Sequence, residues 1–411
     1  MRVFYNLAIV IVIIFSPIII IYRILKQKES SDRFFEKFGF LQKKRRYGKL
    51  IWFHCSSVGE LLSITPLVEK LEREKDIKNI LISTSTLSSS KIFEKFKFRK
   101  TIHQFYPIDN PIIVNKFLNY WKPSAVFFVE SEIWPEMLNS LKKKKIKIFL
   151  LNARISKRSF NRWKYFKKFG VNIFSIFDYI FPQNKETYNY LKYFRVKKMQ
   201  ILGNLKFSET SKINIKNSLK KNFIQRRILC AASTHYNEEE IISNIHLNLK
   251  KKFNNLITIL IPRHIERSAE ILKTLNHKKL KYICHSENRK INKDTDIYLV
   301  DTYGESKTFY SFSKVVFLGG SLVPKGGQNP LEPVRYGCYI THGKYTFNFN
   351  EIYNMLSKKK LSYKAKNFSE LNKTIFNLLK KKSNNKKEIN KFKKIGNDIL
   401  TAHLLKIRVL I

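Results

Sequence analysis

Cysteine is scarce: Cys55, Cys230, Cys284 and Cys338 are the only four in 411 residues, and no two have CxxC spacing. That spacing suggests neither a disulfide framework nor a thiolate zinc site. Three of the four sit in or beside apolar strand-like runs, as small buried thiols do, and suit a reducing compartment. A GxxxxGK[ST] loop and a GxGxxG turn are also missing, which excludes the usual nucleoside-triphosphatase and dinucleotide fingerprints. No Asp-rich constellation suggests a metal, and no repeat of fixed short period suggests a solenoid. Acidic residues are few, 31 against 79 Lys and Arg, giving a net charge of +48. Such a chain is drawn to polyanions: nucleic acid, an anionic membrane surface or a phosphorylated substrate. Part of the excess belongs with the general abundance of Lys, Asn, Ile and Phe. A nucleic-acid reader has only the charge in its favour, because no reader motif is present and the distinctive residues are not on a basic helix.

What is present starts with an uncharged run at residues 3–22, VFYNLAIVIVIIFSPIIIIY. Twenty helical residues reach about 30 Å, roughly the hydrocarbon core of a bilayer. Arg23, Lys26 and Lys28 follow without a small-residue cleavage site, as in an uncleaved anchor whose following domain stays cytoplasmic. Pro17 kinks the helix, leaving open whether it spans the bilayer or lies tilted in one leaflet.

Hydrophobic residues make up 44% of the chain, enough for a core in each of two domains. After the anchor (1–28), apolar strand-like runs at Leu50–Cys55, Asn79–Thr84, 125–130 and Lys147–Ala153 alternate with helical patterns such as 61–74 and 135–144. Weaker strands are expected at Tyr179–Pro182 and 199–202. Near-continuous apolar strands separated by helices read as a parallel sheet covered on both faces. A polar stretch, 208–226, is the expected linker, and the pattern restarts with strands at 227–232, Leu256–Pro262, 280–285, 296–300, Val315–Leu318 and 338–341. The expected organisation is an N-terminal α/β domain over 29–207, a second over 227–380 and a terminal helix over 381–411. Ligands of open α/β sheets bind at the carboxyl ends of the strands, in a crevice.

The distinctive clusters all follow predicted strands. In IWFHCSSVGE (51–60), Glu60 is either a first-turn acid favoured by the helix dipole or a general base. VESEIWPEM (129–137) puts Glu130 and Glu132 at a strand end, on one face if the strand stays extended. NARISKRS (152–159) carries Arg154 and Arg158. AASTH (231–235) and IPRH (261–264) bring hydroxyls beside Arg263 and His264, a set suited to phosphate. DTYGE (301–305) opens a helix, and GGSLVPKGGQNPLEP (319–333) offers two glycine pairs, an Asn329 cap, Pro330 and a first-turn Glu332 able to accept from sugar hydroxyls.

Taken in order, WFHCSSVGE, FYPID, VESEIWPEML, LNARISKRS, GNLKF, AASTHYNEEE, IPRHIER, DTYGE, GGSLVPKGGQNPLEP and TFNF closely resemble the bacterial Kdo transferases, over about residues 50–350. That family attaches 3-deoxy-D-manno-octulosonic acid (Kdo) to a lipid A precursor. The resemblance implies a GT-B fold, two Rossmann-like domains facing a central cleft. It implies inverting, metal- and cofactor-independent transfer of Kdo from CMP-Kdo to lipid IVA at the cytoplasmic side of an inner membrane whose anionic surface the basic chain would meet. Residue by residue, Glu60 takes the place of the general base, and Glu130 and Lys206 of residues assisting the transition state. Arg263, His264, Tyr303, Gly304, Glu305, Asn329, Pro330, Leu331 and Glu332 fall on the CMP-binding motifs. On this reading the helix dipole holds the Glu60 pKa low, making it ionised but a weak base. A transferase using a UDP-sugar is the alternative.

The chain departs from the family pattern in four places. Gln328 stands where His is usual, Tyr303 where Met is usual and Ser208 where Asp is common; STSTLSSSK after the second strand lacks the usual glycine. The first two touch the nucleotide motifs.

Overall fold

A computed structural model describes residues 2–41, 43–208, 219, 222–223, 225–381 and 386–411. The expected linker at 208–226 lies largely outside the described residues. The chain forms two compact units, one of Met1–Thr210 with Ile395–Ile411, the other of Ser211–Lys394.

The first unit is built on a parallel sheet of β1 (Leu50–Cys55), β2 (Asn79–Thr84), β3 (Thr101–Phe105), β4 (Ala125–Val129), β5 (Lys147–Ala153) and β6 (Tyr179–Pro182). Its order is β3-β2-β1-β4-β5-β6. Alternation along the strands sorts side chains to two faces, and both faces are covered. Leu50, Trp52, Val126, Phe128 and Leu150 enter one core cluster; Ile51, Phe53, Phe127, Val129 and Leu151 enter the other. Each such buried side chain contributes on the order of 2 kcal/mol. Helix starts are fixed by side-chain caps: Ser57, Thr86, Asn110, Ser156 and Asn184 each accept from a first-turn amide. The sheet reverses direction of build between β1 and β4, the place where an open sheet of this kind splays its loops apart.

The second unit repeats the plan with β7 (Arg227–Thr234), β8 (Leu256–Pro262), β9 (Tyr282–Cys284), β10 (Ile297–Leu299), β11 (Val315–Leu318), β12 (Tyr339–His342) and β13 (Ser362–Lys364). The order is β13-β12-β11-β7-β8-β10-β9, all parallel, with the reversal between β7 and β11.

From Ile395 onward, the helix Lys386–Leu410 belongs to the first unit. Leu400 and Ile407 enter the cluster around Ile51 and Phe53, and Lys49 Nζ donates to the Ile411 carbonyl at 2.9 Å. The terminal helix is thus part of the first unit's core.

Three elements differ from the sequence expectation. TIHQF forms edge strand β3 although it carries His103 and Gln104, both buried. Polar residues in a short run hide a strand whose only ladder partner is β2. The three-residue β13 is too short for any periodicity. Residues 199–202 form no strand; a single bridge joins Met199 to Ile180.

The N-terminal run forms one helix, Arg2–Leu25. The side chains of residues 2–4 and 6–8 lie outside the described set, and among the described residues no helix is long and apolar enough to cross a membrane. Tyr5 of this helix donates to Asp109 at 2.7 Å, and Arg23 and Lys37 both pair with buried Glu29. Val10, Ile11, Ile14, Phe15, Ile18, Ile21 and Leu25 are exposed.

Candidate functional site

In the first unit, the polar residues gather at the carboxyl ends of β1, β4 and β5, around the reversal. Ser57 caps the helix Val58–Leu71 and places Glu60 in its first turn. The Glu60 carboxylate accepts from the Ser56 amide at 2.8 Å and the Ser57 hydroxyl at 2.9 Å. Its helix-start role is therefore real, and Gly59 beside it has open space where a Cβ would stand.

Glu130 directly follows β4 in the left-handed region, at φ 60°, a conformation uncommon for a non-glycine residue and found at functional sites. Only 6% exposed, it pairs with Lys206 of the short turn Leu205–Phe207. Asn152, also left-handed (φ 51°), donates to Glu130 at 3.4 Å and accepts from the Leu205 amide at 3.0 Å, tying that turn to β5. Because the chain turns at Glu130, the two glutamates of VESE do not share a face by strand alternation. Glu132 goes instead to His54 (3.2 Å) and to the Trp134 indole, which donates at 2.9 Å.

This geometry reverses the sequence expectation for Glu60. Burial, and then the charges of Glu130 and Glu132, push its pKa up to about 7, outweighing the Ser57 and Ser56 hydrogen bonds. A helix dipole term of about 0.3–1 kcal/mol cannot compete with three carboxyl groups in one partly dry site. Glu132 goes the other way. Burial raises it, but hydrogen bonds from His54, Ser56 and Trp134 prevail and hold it below the usual carboxylate range.

In the second unit, the residues matched to nucleotide motifs lie at the carboxyl ends of β7, β8, β10 and β11. Arg263 and His264 follow β8 and are exposed. The His264 and His235 rings lie 5.9 Å apart, and the buried His235 Nε2 has no hydrogen-bond partner among the described residues. Burial, then His264, Lys325, Arg263 and Arg267, hold the His235 pKa below its ordinary value, the mark of a locally cationic spot. Tyr303 is 62% exposed and donates to Glu266 at 2.8 Å, while Gly304 (φ 90°) faces open space. Glu305 occupies the cap position of the helix Ser306–Tyr310, and Thr308 donates to its carboxylate at 3.4 Å. Asn329 accepts from the Leu331 amide at 3.1 Å, with Pro330 at the cap position of Leu331–Arg335 and Glu332 paired to Lys307 at 3.8 Å. Both helices are five residues long, so few aligned peptide dipoles stand behind their first amides.

The glycines of GGSLVPKGG serve the protein's own backbone. A Cβ on Gly319 would stand 2.3 Å from the Ser233 carbonyl oxygen, where β7 bulges at left-handed Ser233 (φ 55°). Glu238, buried at the start of the next helix, accepts from the amides of His235, Gly320, Ser321 and Leu322 and so fixes this loop. Sequence reading saw only an acidic helix start there; nothing in NEEE distinguishes a loop clamp from a dipole partner. It likewise left His54 and Ser56 without roles.

The two Rossmann-like units, each with its polar cluster at strand carboxyl ends, make up a GT-B-type architecture. The crystal structure of a Neisseria meningitidis UDP-GlcNAc 2-epimerase shares the fold, with a TM-score of 0.55 at 12% identity, covering 88% of this chain and 98% of that one. With the sequence relatives added, the class is a glycosyltransferase. Residues 32–209 match the family described as 3-Deoxy-D-manno-octulosonic-acid transferase (kdotransferase). The 3-deoxy-D-manno-octulosonic acid transferase of Haemophilus influenzae is 33% identical over 81% of this chain and 79% of its own length. The corresponding Rickettsia bellii enzyme is 33% identical over 90% and 89%. This chain belongs to the 3-deoxy-D-manno-octulosonic acid transferase family.

Proposed function

We propose that this enzyme moves Kdo from CMP-Kdo to a hydroxyl of lipid IVA in lipopolysaccharide synthesis, with Glu60 as general base. The acceptor oxygen attacks the anomeric carbon and its proton passes to Glu60. The bond from that carbon to the CMP phosphate breaks, and CMP leaves with the electron pair. One displacement inverts the anomeric centre. Lys206, held by Glu130, supplies positive charge toward the transition state. Arg263, His264, Tyr303–Glu305 and Asn329–Glu332 take the CMP, with Glu332 accepting from ribose hydroxyls and the positive charge of Arg263 and Lys325 around His235 meeting the phosphate. No cofactor or metal has a part in this reading.

The observation that carries it is Glu60, half-buried beside open space and pushed up to about 7. A carboxylate of that basicity is matched to taking a proton near neutral pH. The apolar face of Arg2–Leu25 would seat in one leaflet of the inner membrane, with the basic surface against anionic lipid. The test is CMP release and product mass with CMP-Kdo and lipid IVA. Glu60→Gln should cut turnover by about 10²–10⁴-fold while CMP still binds; full turnover by the folded variant overturns the assignment. A donor preference for UDP over CMP in competition would favour the UDP-sugar reading.

A further inference from the structure

The helix Arg2–Leu25 has two faces. Ile11, Ile14, Ile18, Ile21 and Leu25 fall on one side at helical spacing and are exposed, while Ser16 and Ile20 on the opposite side are buried. Tyr5 lies on the side of Ser16 and Ile20, and its hydroxyl donates to Asp109 Oδ2 at 2.7 Å. Asp109 stands in the turn between β3 and the helix Pro111–Trp121 and is 1% exposed. The other end of the N-terminal helix reaches the same turn. Arg23 and Lys37 share Glu29, and the Lys37 carbonyl accepts from the Ile108 amide at 2.8 Å.

Asp109 in turn holds the start of the helix Pro135–Lys143. That helix has Trp134 at its cap position without a side-chain cap bond, and Pro135 has no amide to satisfy. The Leu138 amide is taken by the Trp134 carbonyl at 2.9 Å, which leaves the amides of Glu136 and Met137. Asp109 accepts from both, at 3.0 and 2.8 Å, and so caps the helix from another loop.

The stretch fixed by this cap is the one that carries the site. Glu130–Trp134 join β4 to the helix, with Glu130 paired to Lys206 and Glu132 bonded to the Trp134 indole. A buried carboxylate is costly without donors, and the Tyr5 hydroxyl joins the two amides in supplying them. We infer that Tyr5 is a positioning residue for the transfer reaction: through Asp109 it fixes the start of the helix Pro135–Lys143, and with it the turn that carries Glu130 and Glu132. The N-terminal helix then has two tasks on two faces. The exposed apolar face is open to lipid, and the opposite face braces the strand-end cluster.

The kinetic half of the test rests on the proposed transfer from CMP-Kdo; the structural half needs no substrate. Tyr5→Phe in the full-length enzyme removes one hydroxyl and nothing else. Its kcat should fall about 10-fold, the rate equivalent of one hydrogen bond to a charged group. CMP affinity should stay at the parent's value, because the residues proposed to take CMP stand in the second unit. Enzyme and lipid IVA are held in the same detergent micelles, so that a weaker seat in lipid cannot mimic the loss. Hydrogen–deuterium exchange should quicken over residues 130–137 and stay unchanged in β1 and β2. Asp109→Ala should bring the same pair of changes, and adding Tyr5→Phe to it should change nothing more, because Tyr5 acts through Asp109. Should Asp109→Ala fail to fold, Asp109→Ser keeps a small capping oxygen and takes its place. The parent's kcat in folded Tyr5→Phe, unchanged exchange over 130–137, a matching fall in CMP affinity, or effects of the two substitutions that add, each overturns the inference. A parent enzyme that releases no CMP from CMP-Kdo counts against the proposed transfer, and exchange in the single and double variants then decides the positioning by itself.

Discussion

The two polar clusters solve different problems with the same strand-end geometry. In the first unit the key groups are satisfied by the protein itself: Glu60 by two serines, Glu130 by Lys206, Glu132 by His54 and Trp134. In the second unit Arg263, His264 and Tyr303 project outward, and the buried His235 Nε2 lacks a partner among the described residues. A group that must have a tuned proton affinity has to be held in fixed, partly dry surroundings. A group that grips a charged ligand can instead wait in water and be completed by the ligand. Substitutions that strip a partner from the first cluster should therefore disturb both folding and chemistry, and those in the second should disturb ligand affinity alone.

The largest expected effect is Glu60→Gln, a loss of about 10²–10⁴-fold in kcat, the range of a positioned general base. Glutamine keeps the first-turn hydrogen bonds, so folding should survive. The stability sign runs opposite to activity. A carboxyl whose folded pKa is raised above its unfolded value favours the native state only while protonated, so it subtracts stability as pH rises from about 4.5 to about 7. Glu60→Gln should gain melting temperature relative to the parent at pH 8 and lose that advantage at pH 5. Thermal melts at the two pH values check this.

Lys206→Ala is next. It leaves Glu130 buried without its cation, and breaking such a pair costs about 3–5 kcal/mol when fully buried. Lys206 is 18% exposed, so the lower part of that range is expected in urea unfolding, together with a loss of turnover. Equal stability in parent and variant would break the contrast between the units.

How much of this was legible in the sequence differs between the same two places. The motif order singled out Glu60, Glu130 and Lys206, of which the structure pairs the last two, and the apolar runs located most strands, because buried parallel strands leave an unmistakable composition. The proton affinity of Glu60 was not legible. Its helix-start position argued for a low pKa, whereas the shift depends on Glu130 and Glu132, 70 and 72 residues away, and on burial. His54 looked like one polar residue in an apolar strand, since its partners are Ser83 of β2 and Glu132 of the turn after β4, both distant in sequence. Glu238 looked like a dipole partner, since the amides it holds lie more than 80 residues on. Charge interactions and loop clamps are set by contacts that alternation and spacing do not encode.

In the second unit, Arg263→Ala should weaken CMP binding by about 10-fold or more, the value of a charge-assisted contact of about 1.5–3 kcal/mol. Its melting temperature should stay close to the parent's, because the side chain is exposed. Isothermal titration with CMP and with cytidine checks both halves: the loss should be confined to the phosphate-bearing ligand.

The smallest effect is expected at Tyr303, where the family usually has methionine. Its hydroxyl is tied to Glu266 at 2.8 Å by a hydrogen bond that lies on the open surface. Tyr303→Phe should therefore leave stability unchanged and free Glu266 to swing. Glu266 is an anion three residues from Arg263, the guanidinium proposed to meet the phosphate. Holding it aside removes a competitor for Arg263, so Tyr303→Phe should weaken CMP binding about two-fold, less at high salt. The cytidine affinity of the same variant should not change. If CMP and cytidine weaken together, Tyr303 contacts the nucleoside directly, and the contrast between a prearranged first cluster and a ligand-completed second one extends to the base and ribose as well as the phosphate.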